Sequence, residues 1–268
     1  MKKYLILIDV DGTVVATGQN SMDKRLPKLF ERIKNCGHIV AIVSGRAVSA
    51  ILAIEGIEKA RYVCGLMGSV AIDLQTNQKI IKPKCMGVAD VKGLIEDVNN
   101  LGLKWTYKDE SMEKSYFNDS EIIKKYSPTI ISKIEVLNDI ENSNVFQILV
   151  DGKIPQSVIN KYTAFDFIEM PGDYYDIVPM GASKATIVEH LKKLYPNHIP
   201  VAIGDSGNDI DMFKNCSLKI AMGQSKEQLK QISTHITKSL EEGGVFYAIE
   251  NILKIWNKII MRRKDIIN

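Results

Sequence analysis

The chain has 268 residues, 45% of them hydrophobic and 25% charged, a balance that suits an ordinary folded protein and excludes a disordered or fibrous one. Thirty-five basic residues against 32 acidic leave a formal charge of +3, too little to make nucleic acid or an anionic membrane the main partner. That length accommodates two modest domains, and two is the working expectation.

The first element is a strand at residues 4–8, an unbroken apolar run of the kind buried on both faces of a parallel sheet. The run stops at Asp9 with no small-residue cleavage site after it, so it reads as a strand and not a leader. Apolar residues then recur at helical spacing through Leu26, Leu29, Phe30, Ile33 and Cys36, with Pro27 near the start and Gly37 past the end. A strand at 38–43, a helix at 47–55 closed by Gly56 and a strand at 61–65 continue the alternation, which predicts an α/β, doubly wound, Rossmann-like parallel sheet.

The rhythm changes at Lys82-Pro83-Lys84. From there the pattern reads helix 88–101, strand 103–107, helix 119–126, strands 133–137 and 145–150, helix 155–163 and strands 165–169 and 174–178. This is an inserted α+β section, and its aromatics, Trp105 and Tyr107 among them, read first as sheet packing. Simple alternation returns with helix 183–195, strand 199–203, helix 208–216, strand 218–221, helix 225–232, a short strand near 236 and a last helix at 244–256. The tail at 261–265 reads as a solvated end. The expected division is a core of 1–82 with 180–268 and a cap of 83–179, hinged near 82–83 and 180–181. No stretch reaches the roughly 20 apolar residues of a membrane helix, so a soluble, cytoplasmic protein is expected, monomeric or a small homo-oligomer. The four scattered cysteines, Cys36, Cys64, Cys85 and Cys216, lack zinc or redox spacing.

Three strand ends carry candidate chemistry. Asp9 and Asp11, two apart in extended chain, point the same way into the crevice where open α/β sheets bind ligands. Two like charges so close need a cation or a shared proton; Asp11-Gly12 by itself is also a common turn. Ser44-Gly45-Arg46 ends the second strand and offers a hydroxyl, an exposed backbone N–H and a guanidinium for an oxyanion, or else an N-cap serine. Gly204-Asp205-Ser206-Gly207-Asn208-Asp209 gathers hard oxygen ligands of the kind magnesium takes, or a turn and a helix cap. Lys184 stands at a helix start, where the macrodipole disfavours it.

With these motifs in this order, the sequence resembles the haloacid dehalogenase superfamily, and within it the Cof-like phosphatases, which carry a larger cap after the third core strand. The resemblance spans nearly the whole chain and extends to Asp176-Ile177-Val178-Pro179 and to Gly243-Gly244-Val245-Phe246. It implies a magnesium-dependent phosphatase of small phosphomonoesters, sugar phosphates or other phosphorylated metabolites. Asp9 would be the nucleophile that forms an aspartyl-phosphate and Asp11 the general acid/base. Gly12, Ser44, Gly45, Arg46, Lys184 and Asn208 would hold phosphate or substrate. Asp9, Asp11 through its carbonyl, Asp205 and Asp209 would hold the metal. The alternatives are a phosphomutase or glycosyl-phosphate phosphatase of the same superfamily, and a non-catalytic relative, against which the intact acidic set argues. Where many Cof-like relatives have asparagine this chain has Met67, whose thioether cannot replace an amide's hydrogen bonds.

Overall fold

The computed structural model describes residues 2–81, 85–108, 115–119, 121–122, 145–170 and 172–255. Among these residues the strands are β1 (Lys3–Ile8), β2 (Ile39–Val43), β3 (Tyr62–Gly65), β4 (Val70–Asp73), β5 (Gln78–Ile81), β6 (Lys104–Lys108), β7 (Ser115–Phe117), β8 (Gln147–Asp151), β9 (Phe165–Met170), β10 (Tyr174–Pro179), β11 (His198–Gly204), β12 (Leu218–Ala221) and β13 (His235–Ile236). They form two sheets. The first runs β13-β12-β11-β1-β2-β3-β4-β5. Its strands from β13 to β3 are parallel, and β4 and β5 fold back antiparallel at one side.

β1 lies in the middle, paired with β11 and β2, and is buried on both faces, which is why its sequence is a continuous apolar run rather than an alternating one. Ile6 and Ile8 pack towards helix α1 (Leu26–Asn35) through Leu29, Phe30 and Ile33. Leu5 and Leu7 pack on the opposite face, against Ile187, Val188 and Leu191. Each such side chain contributes roughly 1.5–3 kcal/mol by leaving water. Helices on both faces make this the doubly wound α/β core.

The second sheet, β7-β6-β8-β10-β9, is antiparallel. Helix α2 (Val48–Leu52) belongs to the first sheet; α3 (Val88–Asn100) covers one face of the second with Val91, Leu94, Ile95 and Val98 against Trp105, Tyr107, Ile148 and Val150. Trp105 and Tyr107 stack at 6.0 Å between ring centroids and are buried, so they serve packing. The other face carries Gln147 and Asp176, both buried. Gln147 Nε2 donates to both Asp176 oxygens, at 2.7 and 2.8 Å, and across to the Gly45 carbonyl at 3.3 Å.

Several helix boundaries differ from the expectation. The helix expected at 47–55 is α-helical over Val48–Leu52, after which tight i→i+3 bonds take over: Ile54 N–H donates to Ile51 and Ile57 N–H to Ile54. The stretches 155–163, 208–216 and 225–232 contain the shorter helices α4 (Gln156–Ile159), α6 (Ile210–Lys214) and α7 (Glu227–Gln231), with α5 (Lys184–Leu194) between the first two. The last expected helix is α8 (Gly244–Tyr247) followed by a wider π-type turn, Ala248–Ile252. The helical residues 123–126, the strand 133–137, the hinge at 82–83, residue 256 and the tail 261–265 lie outside the described residues. Among those described, no helix is long and apolar enough to cross a membrane.

Candidate active site

Parallel pairing of β1 and β11 brings two of the acidic strand ends together. Asp9 follows β1 directly, and its N–H continues the ladder to the Ile203 carbonyl at 3.0 Å. One step along, the chain after β11 supplies Asp205 and Asp209, and carboxylate oxygens of Asp9, Asp205 and Asp209 lie within 4.8 Å of one another. Gly12 makes the turn beside them possible. Its φ is +76°, and a Cβ there would overlap the Asp205 carboxylate.

Lys184 enters from the start of α5, whose N-cap Ser183 accepts the Ala185 N–H at 3.2 Å. The side chain is fully buried, and Nζ donates to Asp9 Oδ1 at 2.5 Å, Asp209 Oδ1 at 2.7 Å and Asn208 Oδ1 at 3.1 Å. Burial works against the ammonium, but the carboxylates of Asp209 and Asp9 outweigh it and hold Lys184 above its ordinary pKa. The Asp9 carboxyl is raised, first by burial and then by Asp209 and Asp205, with Lys184 pulling the other way. Asp205 is pushed up to about 6 by burial, Asp209 and Asp11.

Asp209 is a bracket rather than a free ligand. Its Oδ2 accepts the N–H groups of Asp205 and Ser206 at 3.0 and 3.1 Å, while Oδ1 takes Lys184. Asp205 Oδ1, by contrast, is buried with no partner. A buried unpaired carboxylate oxygen beside the Asp9 carboxylate is a costly arrangement unless a cation completes it, and an all-oxygen donor set of this kind fits magnesium chemistry. The residues therefore fit the metal that the sequence implied, with Asp9 and Asp205 as the carboxylates available to it.

Ser44 is buried at the end of β2, and its Oγ accepts the Arg46 N–H at 3.0 Å. Gly45 lies beside Met67, whose Sδ is 3.2 Å from where a Cβ on Gly45 would sit. Asn208, expected on Lys184 or on a phosphoryl oxygen, bonds Lys184 and also accepts from Ser206 Oγ at 2.9 Å. Arg46, expected near substrate or cap, turns its guanidinium onto Asp11. Nε donates to Oδ2 at 2.8 Å and Nη2 to Oδ1 at 2.6 Å. Asp11 thus leaves the Asp9–Asp205–Asp209 group and faces Arg46.

A cavity of about 770 Å³ opens beside this cluster, bordered by Lys184, Asn208 and Met67 on one side and by Asp166 to Met170 of β9 on the other. The β9 residues are absent from the expected set, and Ser206 stands in it only as part of its motif, without a role. Nothing in the sequence marks an edge strand of one sheet as the wall of a site on another. Thr13 Oγ1 is buried without a partner directly after the first motif, and only its place in that motif signals it.

A family profile described as a haloacid dehalogenase-like hydrolase matches residues 6–249. The chain is 25% identical over 264 residues to the putative phosphatase YkrA of Bacillus subtilis, covering 94% of this chain and 98% of that protein. It is 24% identical over 261 residues to the 5-amino-6-(5-phospho-D-ribitylamino)uracil phosphatase YitU of the same organism, covering 91% and 95%. The solved structure of the haloacid dehalogenase subclass IIB sugar phosphatase BT4131 superposes with a TM-score of 0.80 at 17% identity, covering 94% of this chain and all of that one.

Proposed function

The chain belongs to the haloacid dehalogenase-like hydrolases and is a phosphoric monoester hydrolase, and from that premise we propose that it hydrolyses small phosphorylated metabolites through a covalent intermediate on Asp9. The observation that carries the reading is the buried Asp9–Lys184 contact of 2.5 Å at the carboxyl end of the central strand, beside a cavity large enough for a phosphorylated sugar or heterocycle. Sugar phosphates and phosphoribityl compounds, the substrates of two relatives, are the first to test.

In the first half-reaction an Asp9 oxygen attacks phosphorus, a P–O bond to Asp9 forms, and the bond to the leaving oxygen breaks. Asp11 delivers the proton that oxygen needs. Lys184 and the Ser44 hydroxyl hold the phosphoryl oxygens, and Asn208 and Asp209 fix the ammonium that does so. In the second half, Asp11 takes a proton from water as the water oxygen bonds phosphorus, freeing Asp9 and inorganic phosphate. Magnesium, held by Asp9, Asp205 and the Asp11 carbonyl with Asp209 behind them, would supply the positive charge that this crowd of anions requires.

Residues 1–82 and 180–268 are read as the core that carries the chemistry and 83–179 as the cap that selects the leaving group and limits water. Cytoplasmic location and a monomeric or small homo-oligomeric state complete the proposal. The deciding experiment is a panel of phosphorylated metabolites with and without magnesium, run beside Asp9→Asn. Phosphate release by wild type and none by the variant is the expected result; equal release by both overturns it.

A further inference from the structure

We infer that Arg46 is a positioning residue for Asp11, fixing the carboxylate that transfers the proton, rather than a ligand for the substrate's phosphate. The inference rests on the reading of Asp11 just given and adds a residue to it. Four of the five guanidinium N–H donors are engaged within the protein. Nε and one Nη2 donor grip the two oxygens of Asp11, a second Nη2 donor goes to the Gln19 carbonyl at 2.9 Å, and Nη1 goes to Asn20 Oδ1 at 2.8 Å. Lys184 and Asn208 border the cavity; Arg46 does not.

Asp11 is held from a second side as well, because the Gly18 N–H donates to its Oδ1 at 3.1 Å. The guanidinium therefore joins three segments: the turn after β1, the 18–20 segment, and the end of β2. Arg46 is itself fixed, with its N–H on Ser44 Oγ and its carbonyl accepting from Leu66 N–H at 2.9 Å. The side that holds phosphate and the side that moves the proton are thereby set from one short stretch of chain.

Magnitude separates orientation from stability. The side chains of Arg46 and Asp11 retain 13% and 32% exposure, and partly exposed ion pairs contribute little to folding. What the two-pronged contact supplies is direction: a planar fork sets the carboxylate plane, which a lysine's single ammonium cannot do. Losing that direction slows proton transfer while leaving phosphate binding to Lys184.

The test compares Arg46→Ala, Arg46→Lys, Asp11→Asn and the double variant Arg46→Ala/Asp11→Asn, all in the full chain with magnesium. The substrates are an alkyl phosphomonoester, whose leaving oxygen needs a proton, and p-nitrophenyl phosphate, whose leaving oxygen does not. For the alkyl ester, Arg46→Ala should lower kcat roughly 10- to 100-fold, part of the effect a general acid supplies, with KM within about threefold. The first-turnover burst of nitrophenolate should change by less than about threefold. Adding Arg46→Ala to Asp11→Asn should slow the alkyl reaction no further, because residues acting as one unit are not additive. Arg46→Lys should show the same split to a smaller degree, and it carries the test if the alanine variant does not fold. A tenfold or greater rise in KM for both esters with kcat kept, or additive losses in the double variant, overturns the inference and makes Arg46 a substrate ligand. Full alkyl-ester activity in Asp11→Asn alone instead removes the underlying reading of Asp11.

Discussion

Asp9 and Asp11 stand two residues apart and meet different partners, Lys184 in one case and Arg46 in the other. Different partners predict different defects. Asp9→Asn should abolish turnover with the fold intact. Asp11→Asn should cut turnover of alkyl esters about 100- to 10,000-fold, to a residual rate, yet accumulate phosphoenzyme with an activated ester, seen as covalent mass gain. Asp205 gives a prediction of opposite sign for stability. Its folded pKa of about 6 lies above the unfolded value of 3.8, so the contribution is full below pH 3.8 and is lost as pH rises through 6. At pH 7 without metal the carboxylate is a burden, of about 1 kcal/mol after allowance for its partial exposure. Metal-free Asp205→Asn should therefore unfold at higher denaturant than metal-free wild type at pH 7, with the gap closing towards pH 4. Magnesium should stabilise the wild type more than the variant, and in activity assays the variant should need far more magnesium.

At the scale of elements, the turn after β3 connects two parts of the site. Leu66, Met67 and Gly68 all have positive φ, at 50°, 55° and 85°, a left-handed run that costs non-glycine residues about 1 kcal/mol each. A Cβ on Gly68 would sit 2.8 Å from the Ser183 carbonyl, one residue before Lys184. Gly68→Ala should thus destabilise by about 2–4 kcal/mol, combining dihedral strain with overpacking, and should lower kcat by displacing Lys184. Urea denaturation and steady-state kinetics check both. The buried strands were legible in the sequence because a strand covered on both faces must be apolar throughout. Helix ends were not. Ile51, Ile54 and Ile57 keep an i, i+3 spacing that an α-helix and a tighter turn share, and Val245, Ala248, Ile249, Ile252 and Leu253 suit both a regular and a widened last turn. The acidic strand ends were legible from residue type and place. The partner of Arg46 was not, since Asp11 lies 35 residues away and sequence spacing carries no direction for a long side chain.

For the whole molecule, two sheets meet where Gln147 bonds the Gly45 carbonyl and where β9 walls the cavity. If the cap closes on substrate about 180–181, binding of a phosphate mimic should raise amide-exchange protection in 44–46 and 166–170 together. Unchanged protection in both would indicate a fixed arrangement. The connection at that point has a left-handed glycine, Gly181, whose N–H is held by Asp166 Oδ2 at 2.6 Å, so Asp166→Ala should loosen it and raise exchange at 180–182 in the free protein.

The central place of β1 also bears on how the chain is made. Lys3 pairs with His198 and Ile8 with Ile203, so β1 leaves the ribosome long before one of its two neighbours and must wait for it. Until β11 emerges, β1 can pair with β2 alone, and its other edge, apolar from Leu5 to Ile8, is open to any strand nearby. At elongation rates of about 5–20 residues per second, that exposure lasts on the order of ten seconds or more. A strand at the centre of the finished sheet is for that interval open on one side, and nascent chains arrested before residue 198 should engage chaperones that chains arrested beyond residue 204, with their exit from the tunnel allowed for, release.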